Sequence, residues 1–332
     1  MGKREGNRER LFKAFQNEVV DRVPVGFWFH FLAGGEFNSA VDNPPLWEKN
    51  LAGHKKYITA FHPDFVKIMS DGYFNYPQGR GKTYDSPESL AQIDVISADN
   101  PWVTQQVELV KRITALQEDT AYFYNVFSPL SNLIFLAGRD NVFRFLAEKP
   151  EITAKALDTI AGGLIVLAGE IIKKGGADGI YLSVTNPDAG KIPHPVYHRY
   201  VSPSEIRVLA GAAAAGGRQI LHICGFGGQH NDLRVFTDYP ASAFNWASHL
   251  ENVDLAEGKK IFGGKAVLGG FDNVPGSLIH QGSKEDIEAF TAKLLTAAGT
   301  TGVILGADCT VPGDIDLARL EWVRQAAAQT AA

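Results

Sequence analysis

The chain of 332 residues alternates short apolar runs with longer segments of helical periodicity, and this alternation is the feature that most narrows its fold. Each run is rich in Val, Ile, Phe and Tyr and ends at a loop-forming residue, a pattern typical of buried strands. The eight predicted strands are residues 23–27, 65–70, 122–127, 179–184, 219–224, 243–247, 266–270 and 302–307. The predicted helices between them are residues 45–61, 87–93 with 107–118, 141–175, 202–215, 231–237, 254–262, 283–298 and 317–331.

Strands that alternate with helices pair in parallel through helical crossovers, and eight such units are the number that closes a (β/α)8 barrel. We therefore predict an α/β fold that consists of one (β/α)8 TIM barrel domain over residues 1–332. An open doubly wound sheet is the alternative, but no Gly-x-Gly-x-x-Gly motif follows an early strand. The length agrees with the prediction, because α/β barrels routinely fill a chain of this size as one domain.

Charge and composition argue against several classes of partner. The net charge of -5 and the pI near 6.0 give no reason to expect nucleic acid or an anionic membrane. The first residues include basic side chains but no continuous apolar stretch of a signal peptide, and the most apolar segment, residues 162–172, is interpreted as a packed helix too short to span a bilayer. Two cysteines do not form a disulfide framework and suit a reducing, cytoplasmic setting.

Polar residues occur at the carboxyl ends of the predicted strands, where active sites of this fold lie. They are Asp71, Ser128, Asn186, His222, Cys224, Asn245, Asp272 and Cys309. Asp71 is predicted as an acid, a base or a metal ligand, with capping of the following loop as the alternative. For Asp272, and for Asp308 beside Cys309, we favour the capping role.

Both cysteines of the chain occupy such positions. His222 and Cys224 are two residues apart on the fifth predicted strand, so their side chains project from the same face. Cys309 follows the eighth strand, and a barrel mouth brings the two strand ends within reach of one metal ion. One imidazole and two thiolates suit zinc and leave a fourth position in which a thiol would be deprotonated. A buried histidine and two buried cysteines without a metal are the simpler interpretation.

An aromatic segment, Phe27-Trp-Phe-His30-Phe, ends the first predicted strand. Core packing is the simpler explanation of these rings. The alternative is a wall for a flat macrocycle such as a cobalamin, which Phe27 and His30 would contact together with Asn186 and Asn245 at later strand ends. The loop that begins at Asn186 contains two histidines, and prolines on both sides of the first, His194, predict a mobile pocket rim rather than a regular helix.

Several motifs resemble, in order along the chain, those of the uroporphyrinogen decarboxylase superfamily. They are Arg8-Glu-Arg-Leu-Phe-Lys-Ala-Phe, Asp21-Arg-Val-Pro, Ile68-Met-Ser-Asp71, Gly176-Ala-Asp-Gly, Asp254-Leu-Ala-Glu-Gly-Lys-Lys and Leu268-Gly-Gly-Phe-Asp272. The resemblance extends over nearly the whole chain. It implies a single (β/α)8 barrel, in agreement with the strand count, and is consistent with a homodimer.

The superfamily has two main branches, and this sequence resembles one of them more closely. Decarboxylases have an Arg-Gln-Ala-Gly-Arg-Tyr motif after the first strand, whose arginines hold the carboxylates of the tetrapyrrole. Here that place reads Phe29-His-Phe-Leu-Ala-Gly-Gly-Glu36, without arginine. The zinc-dependent corrinoid methyltransferases, similar to methylcobalamin:coenzyme M methyltransferase, have His-x-Cys and a distant Cys, which His222, Cys224 and Cys309 match residue by residue.

The second branch implies an enzyme in which zinc activates a small-molecule thiol, and the thiol takes a methyl group from a methylated corrinoid on a carrier protein. His222, Cys224 and Cys309 are the implied zinc ligands, and Asp71 is a candidate fourth ligand or base. The alternatives are a uroporphyrinogen decarboxylase of porphyrin biosynthesis, in which Asp71 would steady the tetrapyrrole, and a non-catalytic barrel that binds a corrinoid or a metal. We expect a cytoplasmic protein without nucleic-acid or membrane partners.

Overall fold

The computed structural model describes residues 5–77, 82–185 and 192–330. At the centre of this part of the chain lies a curled sheet of seven parallel strands, which pair in the order in which they occur in the sequence. The strands are β1 (Phe65–Ile68), β2 (Ala121–Phe127), β3 (Gly179–Val184), β4 (Arg218–Ile223), β5 (Ala243–Trp246), β6 (Ala266–Phe271) and β7 (Val303–Ala307).

Helices connect consecutive strands, as parallel pairing requires. The α-helices are α1 (Asn7–Phe15), α2 (Pro44–Phe61), α3 (Pro101–Thr114), α4 (Pro129–Ala137), α5 (Arg139–Glu148), α6 (Pro150–Lys173), α7 (His194–Val196), α8 (Ser202–Ala214), α9 (Ser248–Glu251), α10 (Leu255–Ile261), α11 (Leu278–Gln281), α12 (Lys284–Ala298) and α13 (Ala318–Thr330). Short 3-10 helices lie at Gly34–Asn38, Glu88–Gln92, Phe226–Gly228 and Leu233–Phe236, and a π-helical segment lies at Tyr197–Val201.

The first predicted strand, residues 23–27, is not a strand in the structure, so the sheet is not a closed eight-stranded barrel. Val25 forms a single parallel bridge with Leu305 of β7. On its other side, the carbonyl of Val25 accepts a hydrogen bond of 3.1 Å from the N–H of Asp64, directly before β1. The segment therefore lies between β7 and β1 but forms no regular ladder, in part because Pro24 has no N–H to donate.

The other seven predicted strands are confirmed, with ends that differ by at most two residues. The predicted helix over residues 141–175 is instead two helices, α5 and α6. They are separated at Lys149, whose backbone is not helical (φ -142°), and Pro150 begins the second helix. Proline suits the first position of a helix and is unfavourable further inside one. Helices α1 and α4 and the short helices α7, α9 and α11 lie outside every predicted helix.

Helix α6 is longer than the apolar segment that we interpreted as too short for a bilayer. Its 24 residues make it, by length and composition, the one helix within the described ranges that could cross a membrane. Half of its most apolar window is buried inside the protein, and Leu157, Ile160 and Ile171 are fully buried in the core. One such helix is weak evidence for a membrane span, because the core helix of a soluble protein meets the same criteria.

Side chains along the strands alternate between the helix layer and the interior of the curled sheet. The interior is filled by one apolar cluster: Leu11, Ala14, Phe15, Trp28, Phe65, Met69, Ala121, Phe123, Tyr181, Ile220, Ala243, Ala266, Leu268 and Ile304. The α1 residues of this cluster lie near the amino-terminal ends of the strands. The same period of two directs a second set of side chains into the interior, nearer the carboxyl ends, and this set is polar: Lys67, Asn125, Ser183, His222 and Asn245.

Candidate metal centre

Three potential metal ligands converge at the carboxyl ends of the strands. His222 is on β4, Cys224 directly follows that strand, and Cys309 comes two residues after β7. Their ligand atoms all lie within 4.8 Å of one another, and His222 Nε2 is 3.6 Å from Cys309 Sγ. Among the described residues, they are the one group of three or more His, Cys, Asp or Glu side chains that lie close enough together to hold a metal ion. One imidazole nitrogen and two sulfurs fit zinc and leave one tetrahedral position open.

Backbone and side-chain hydrogen bonds hold the loop around Cys309. The N–H of Asp308 donates to the carbonyl of Phe271 at 2.8 Å. The carboxylate of Asp308 accepts from the hydroxyl of Ser248 at 2.6 Å and from the N–H of His249 at 2.8 Å. The carboxylate thus holds the start of α9, whereas the capping role that we favoured concerned the segment that follows Asp308.

Asn245 determines which nitrogen of His222 faces the cysteines. Its amide N–H groups donate to the carbonyls of Leu268 at 2.9 Å and Ala307 at 3.1 Å, which can only accept. Its Oδ1 therefore faces the hydroxyl of Tyr181 at 2.9 Å and Nδ1 of His222 at 2.5 Å. Because an amide oxygen cannot donate, Nδ1 carries the proton and Nε2 presents its lone pair to the cluster. Metal-binding histidines are held in this way.

The proximity of the two cysteines shifts their pKa values in opposite directions. A hydrogen bond from Cys224, followed by the interactions with His222, lowers the pKa of Cys309 well below its ordinary range despite burial. The same bond, together with burial, raises the pKa of Cys224 well above its ordinary range. Cys309 is therefore the more acidic of the two thiols. A thiolate is the form of cysteine that binds a metal.

Lys67 on β1 places a buried ammonium group in the same interior. Its Nζ lies 4.2 Å from the centroid of the Tyr181 ring and 5.4 Å from that of Trp28, and the residue is 4% exposed. Burial lowers the pKa of Lys67 from 10.5 to about 8, although nearby negative charges, that of Cys309 foremost, oppose the change. Two ring faces and adjacent negative charge thus surround this cation.

Asp71 does not lie with the three ligands but holds His30. Its Oδ1 is 2.8 Å from Nδ1 of His30, and its Oδ2 accepts from the N–H groups of Phe31 at 2.6 Å and Leu32 at 3.2 Å. This fully buried carboxylate thus acts as an acceptor throughout, which places the ring proton of His30 on Nδ1. The other ring nitrogen, Nε2, lies 3.4 Å from the hydroxyl oxygen of Thr310.

A cavity of about 380 Å³ includes the three ligands in its lining, a volume that suits a small molecule. Four phenylalanine rings form one apolar wall. Phe37 stacks on Phe74 with 4.7 Å between centroids, and Phe74 meets the edge of Phe127 at 4.7 Å. Phe127 in turn contacts Phe135 at 5.2 Å. Phe135 is 41% exposed, and Phe226, which also lines the cavity, is 81% exposed, so the apolar lining continues to the protein surface.

The cofactor contacts predicted from the sequence occupy different places. His30 lines the cavity. Phe27 does not: it is fully buried in the helix-side core, with its ring 6.0 Å from that of Phe271, because the alternation along the segment turns Trp28 to the interior instead. Asn245 contacts His222 from beneath and is fully buried. Asn186 lies outside the described residues.

The loop that we interpreted as a mobile rim is described from residue 192 onward. It forms the three-residue helix α7 followed by the π-helical segment, where we expected no regular helix. His194 Nε2 lies 3.1 Å from the carboxylate of Asp232 and does not join the three ligands. Proline at position 193 is compatible with this short helix, because it precedes the first helical residue.

Sequence reasoning missed several residues of the site. Lys67 had a detectable signal, since it is a lysine inside the otherwise apolar run Phe65-Val-Lys-Ile. Thr310 was overlooked beside Cys309. The phenylalanine wall had no such signal, because its rings come from separate strands, helices and loops that only the fold brings together.

Comparisons with known proteins agree with this architecture. The sequence profile of the family described as uroporphyrinogen decarboxylase (URO-D) matches residues 74–330. A methyltransferase from Methanosarcina mazei superposes with a TM-score of 0.74 at 18% identity, covering 98% of this chain and 99% of that chain. A β-mannanase from the blue mussel Mytilus edulis superposes with a TM-score of 0.55 at 9% identity, covering 94% and 92%. At these identities the superpositions show a shared fold alone. No curated protein sequence matches the chain.

Proposed function

We propose that this chain, which belongs to the uroporphyrinogen decarboxylase family, is a zinc-dependent methyltransferase. It would move a methyl group from a methylated corrinoid to a small-molecule thiol. A methyltransferase is among its structural neighbours. The observation that carries the proposal is the convergence of His222, Cys224 and Cys309 within 4.8 Å in the cavity. Three protein ligands with an open position are typical of catalytic zinc sites. Bound zinc would lower the pKa of a thiol that enters the open position.

Residues around the ligands suit this chemistry. Asn245 keeps Nε2 of His222 unprotonated and aimed at the cluster. Two cysteine thiolates and a substrate thiolate together outweigh the charge of a divalent cation, so the site would carry net negative charge. Lys67 offers the balancing positive charge from inside the same cavity. Such balance favours binding of the thiol in its deprotonated form.

The apolar wall supports a corrinoid as the methyl donor. A cavity of about 380 Å³ matches a small thiol better than a whole corrin macrocycle. We therefore infer that the macrocycle approaches from outside and packs against the exposed rings of Phe135 and Phe226. A carrier protein that presents the corrinoid at its surface would fit this approach.

The lining of the cavity favours methyl transfer over decarboxylation of uroporphyrinogen. A tetrapyrrole with eight carboxylates needs several cationic partners. Within the described ranges, the lysine and arginine side chains of the lining are Lys67 and Arg139, and Arg139 already donates to the side chain of Gln229. Two cations would leave most of the carboxylates unpaired.

Metal analysis and a methyl-transfer assay test the proposal together. Protein purified without added zinc should contain about one zinc per chain, and it should demethylate methylcobalamin when a thiol is supplied. Cys309→Ala should lose both properties, whereas Ser183→Ala, a change in the same cavity that removes no ligand, should retain the metal. Metal-free protein that consumes uroporphyrinogen would instead indicate a decarboxylase. Zinc-containing protein that transfers no methyl group to any thiol would indicate a non-catalytic carrier.

A further inference from the structure

His30, which lines the cavity, pairs with the buried Asp71, and neither belongs to the group of three candidate ligands. Nδ1 of His30 is 2.8 Å from Oδ1 of Asp71. The other ring nitrogen lies 3.4 Å from Oγ1 of Thr310, and that oxygen lies 3.9 Å from Sγ of Cys309. One hydroxyl and one imidazole therefore connect the ligand cluster to a buried carboxylate.

We propose that Thr310, His30 and Asp71 form a relay that accepts the proton of the thiol substrate. The inference rests on the proposed function, since it assigns a destination to the proton that a thiol must lose before it can take a methyl group. Asp71 sets the direction of the relay: it can only accept, so Nδ1 of His30 donates to it and Nε2 remains able to take a proton. Histidines that act as general bases are held by carboxylates in this way.

The proton transfer balances without any further reactant. The S–H bond of the thiol breaks, and its electron pair stays on sulfur. Oγ1 of Thr310 takes this proton while its own hydroxyl proton forms a bond to Nε2 of His30, and the carboxylate of Asp71 stabilises the imidazolium. The His30 side chain is 37% exposed, so the proton can then pass to solvent. Catalytic contacts of 3.4 to 3.9 Å commonly shorten in the substrate complex.

Few other charges act on His30. Two phenylalanine rings flank it, with centroids at 5.1 and 6.0 Å. Lys67 and Arg139 line the same cavity, and no aspartate or glutamate is among the described lining residues. The carboxylate that pairs with His30 is therefore that of Asp71.

Proton counting by calorimetry tests the relay. Zinc-loaded wild type and His30→Gln are titrated with 2-mercaptoethanol and with 2-mercaptoethanesulfonate between about pH 6 and about pH 9, in buffers of different ionisation enthalpy. His30→Gln retains a side-chain donor for Asp71 but cannot take a proton. We expect the variant to release about one proton per bound thiol wherever the free thiol is protonated. Wild type should release fewer protons in the part of the range where His30 keeps the proton.

Two further variants separate the relay from a structural role. Asp71→Asn keeps His30 but removes the negative charge, so the range of reduced proton release should move to lower pH. His280→Gln removes another histidine–aspartate pair, with Asp314 at 3.2 Å, which does not line the cavity, and it should behave as wild type. The zinc content of every variant is measured alongside. Equal proton counts in wild type and His30→Gln would overturn the relay alone. If zinc-loaded wild type binds neither thiol, the proposed function fails and the relay fails with it.

Discussion

Asn245 holds the ring of His222 from a position outside the three candidate ligands. Replacement by Ala removes the acceptor for Nδ1 and leaves the imidazole free to rotate or to change tautomer. Asn245→Ala should therefore weaken zinc binding by about 10- to 100-fold, measured by competition with a chromophoric chelator. Tyr181→Phe is the matched control, because it removes the other donor to the same oxygen, at 2.9 Å, and leaves the bond to His222 intact. An equal loss in both variants would show that packing around Asn245, rather than this bond, sets the affinity.

Burial of the Lys67 ammonium group should lower the stability of the folded protein. A pKa lowered from 10.5 to about 8 corresponds to a penalty of about 3 kcal/mol for the charged form in the folded protein. The penalty is complete below about pH 8 and disappears as the pH rises through 10.5, the value for the unfolded chain. Lys67→Met should thus raise the free energy of unfolding at neutral pH by about 2 to 3 kcal/mol, measured in urea, and weaken thiol binding. A less stable variant would contradict this account.

Single residues differed in how far the sequence could identify them. His222, Cys224 and Cys309 could be found because strand periodicity and the ends of parallel strands already place their side chains in one space. The role of Asp71 could not be found, because it depends on where the ring of His30 lies, and that contact joins residues 41 positions apart. We predicted that Asn245 lies at a strand end and contacts a cofactor. In the structure its side chain forms a hydrogen bond with His222 instead.

At the scale of elements, a buried carboxylate joins α8 to its neighbours. Glu205 of α8 is fully buried, and its Oε2 accepts from the hydroxyl of Tyr197 in the π-helical segment at 2.9 Å. The same oxygen accepts from the hydroxyl of Tyr239 at 2.6 Å, and Oε1 has no partner among the described residues. Burial is the main cause that raises the pKa of Glu205 to about 7.

The packing of these elements should consequently depend on pH. A carboxyl group whose pKa is raised on folding contributes stability that is complete below its ordinary value of 4.5 and is lost as the pH rises through about 7. Glu205→Gln mimics the protonated form, so it should match wild type near pH 4.5 and exceed it by up to about 3 kcal/mol above neutral pH, measured by urea unfolding. Glu257→Gln, at an exposed position of α10, should follow wild type at every pH. If the free energy of unfolding of Glu205→Gln varied with pH in the same way as that of wild type, the pKa of Glu205 would not be raised.

Patterns of period two and of helical spacing predicted seven strands and most of the longer helices, because those patterns follow from burial of one face. They failed where a local backbone constraint decided the outcome. Pro24 limits pairing of the segment over residues 23–27, and Pro150 begins a separate helix within the predicted helix over residues 141–175. Helix α1 has no long apolar pattern, yet its Leu11 and Phe15 pack into the sheet interior, which is a tertiary effect.

For the whole molecule, a buried ion network holds the amino-terminal region to the sheet. Asp64, directly before β1, is fully buried and pairs with Arg10 of α1 at 2.7 Å and with Arg22 at 2.6 Å. Its carboxylate also accepts from the N–H of Val25 at 2.8 Å. The segment between β7 and β1 has two backbone hydrogen bonds with Leu305 in place of a regular strand ladder, so the carboxylate of Asp64 is a main further anchor.

Removal of Asp64 should therefore have a large effect on global stability. Asp64→Ala removes the carboxylate partner of the buried Arg22, leaves Arg10 with Asp21 alone and frees the N–H of Val25, so the free energy of unfolding should fall by about 3 to 5 kcal/mol in urea. Arg8→Ala is the matched control. Arg8 is also an arginine of α1 that pairs with an aspartate, Asp178, but its side chain is 52% exposed, so its loss should cost less than about 1 kcal/mol. A similar small loss in both variants would mean that the apolar contacts of α1 and of Trp28 hold the segment in place. The predicted difference would mean that buried charge closes the gap that the seven-stranded sheet leaves.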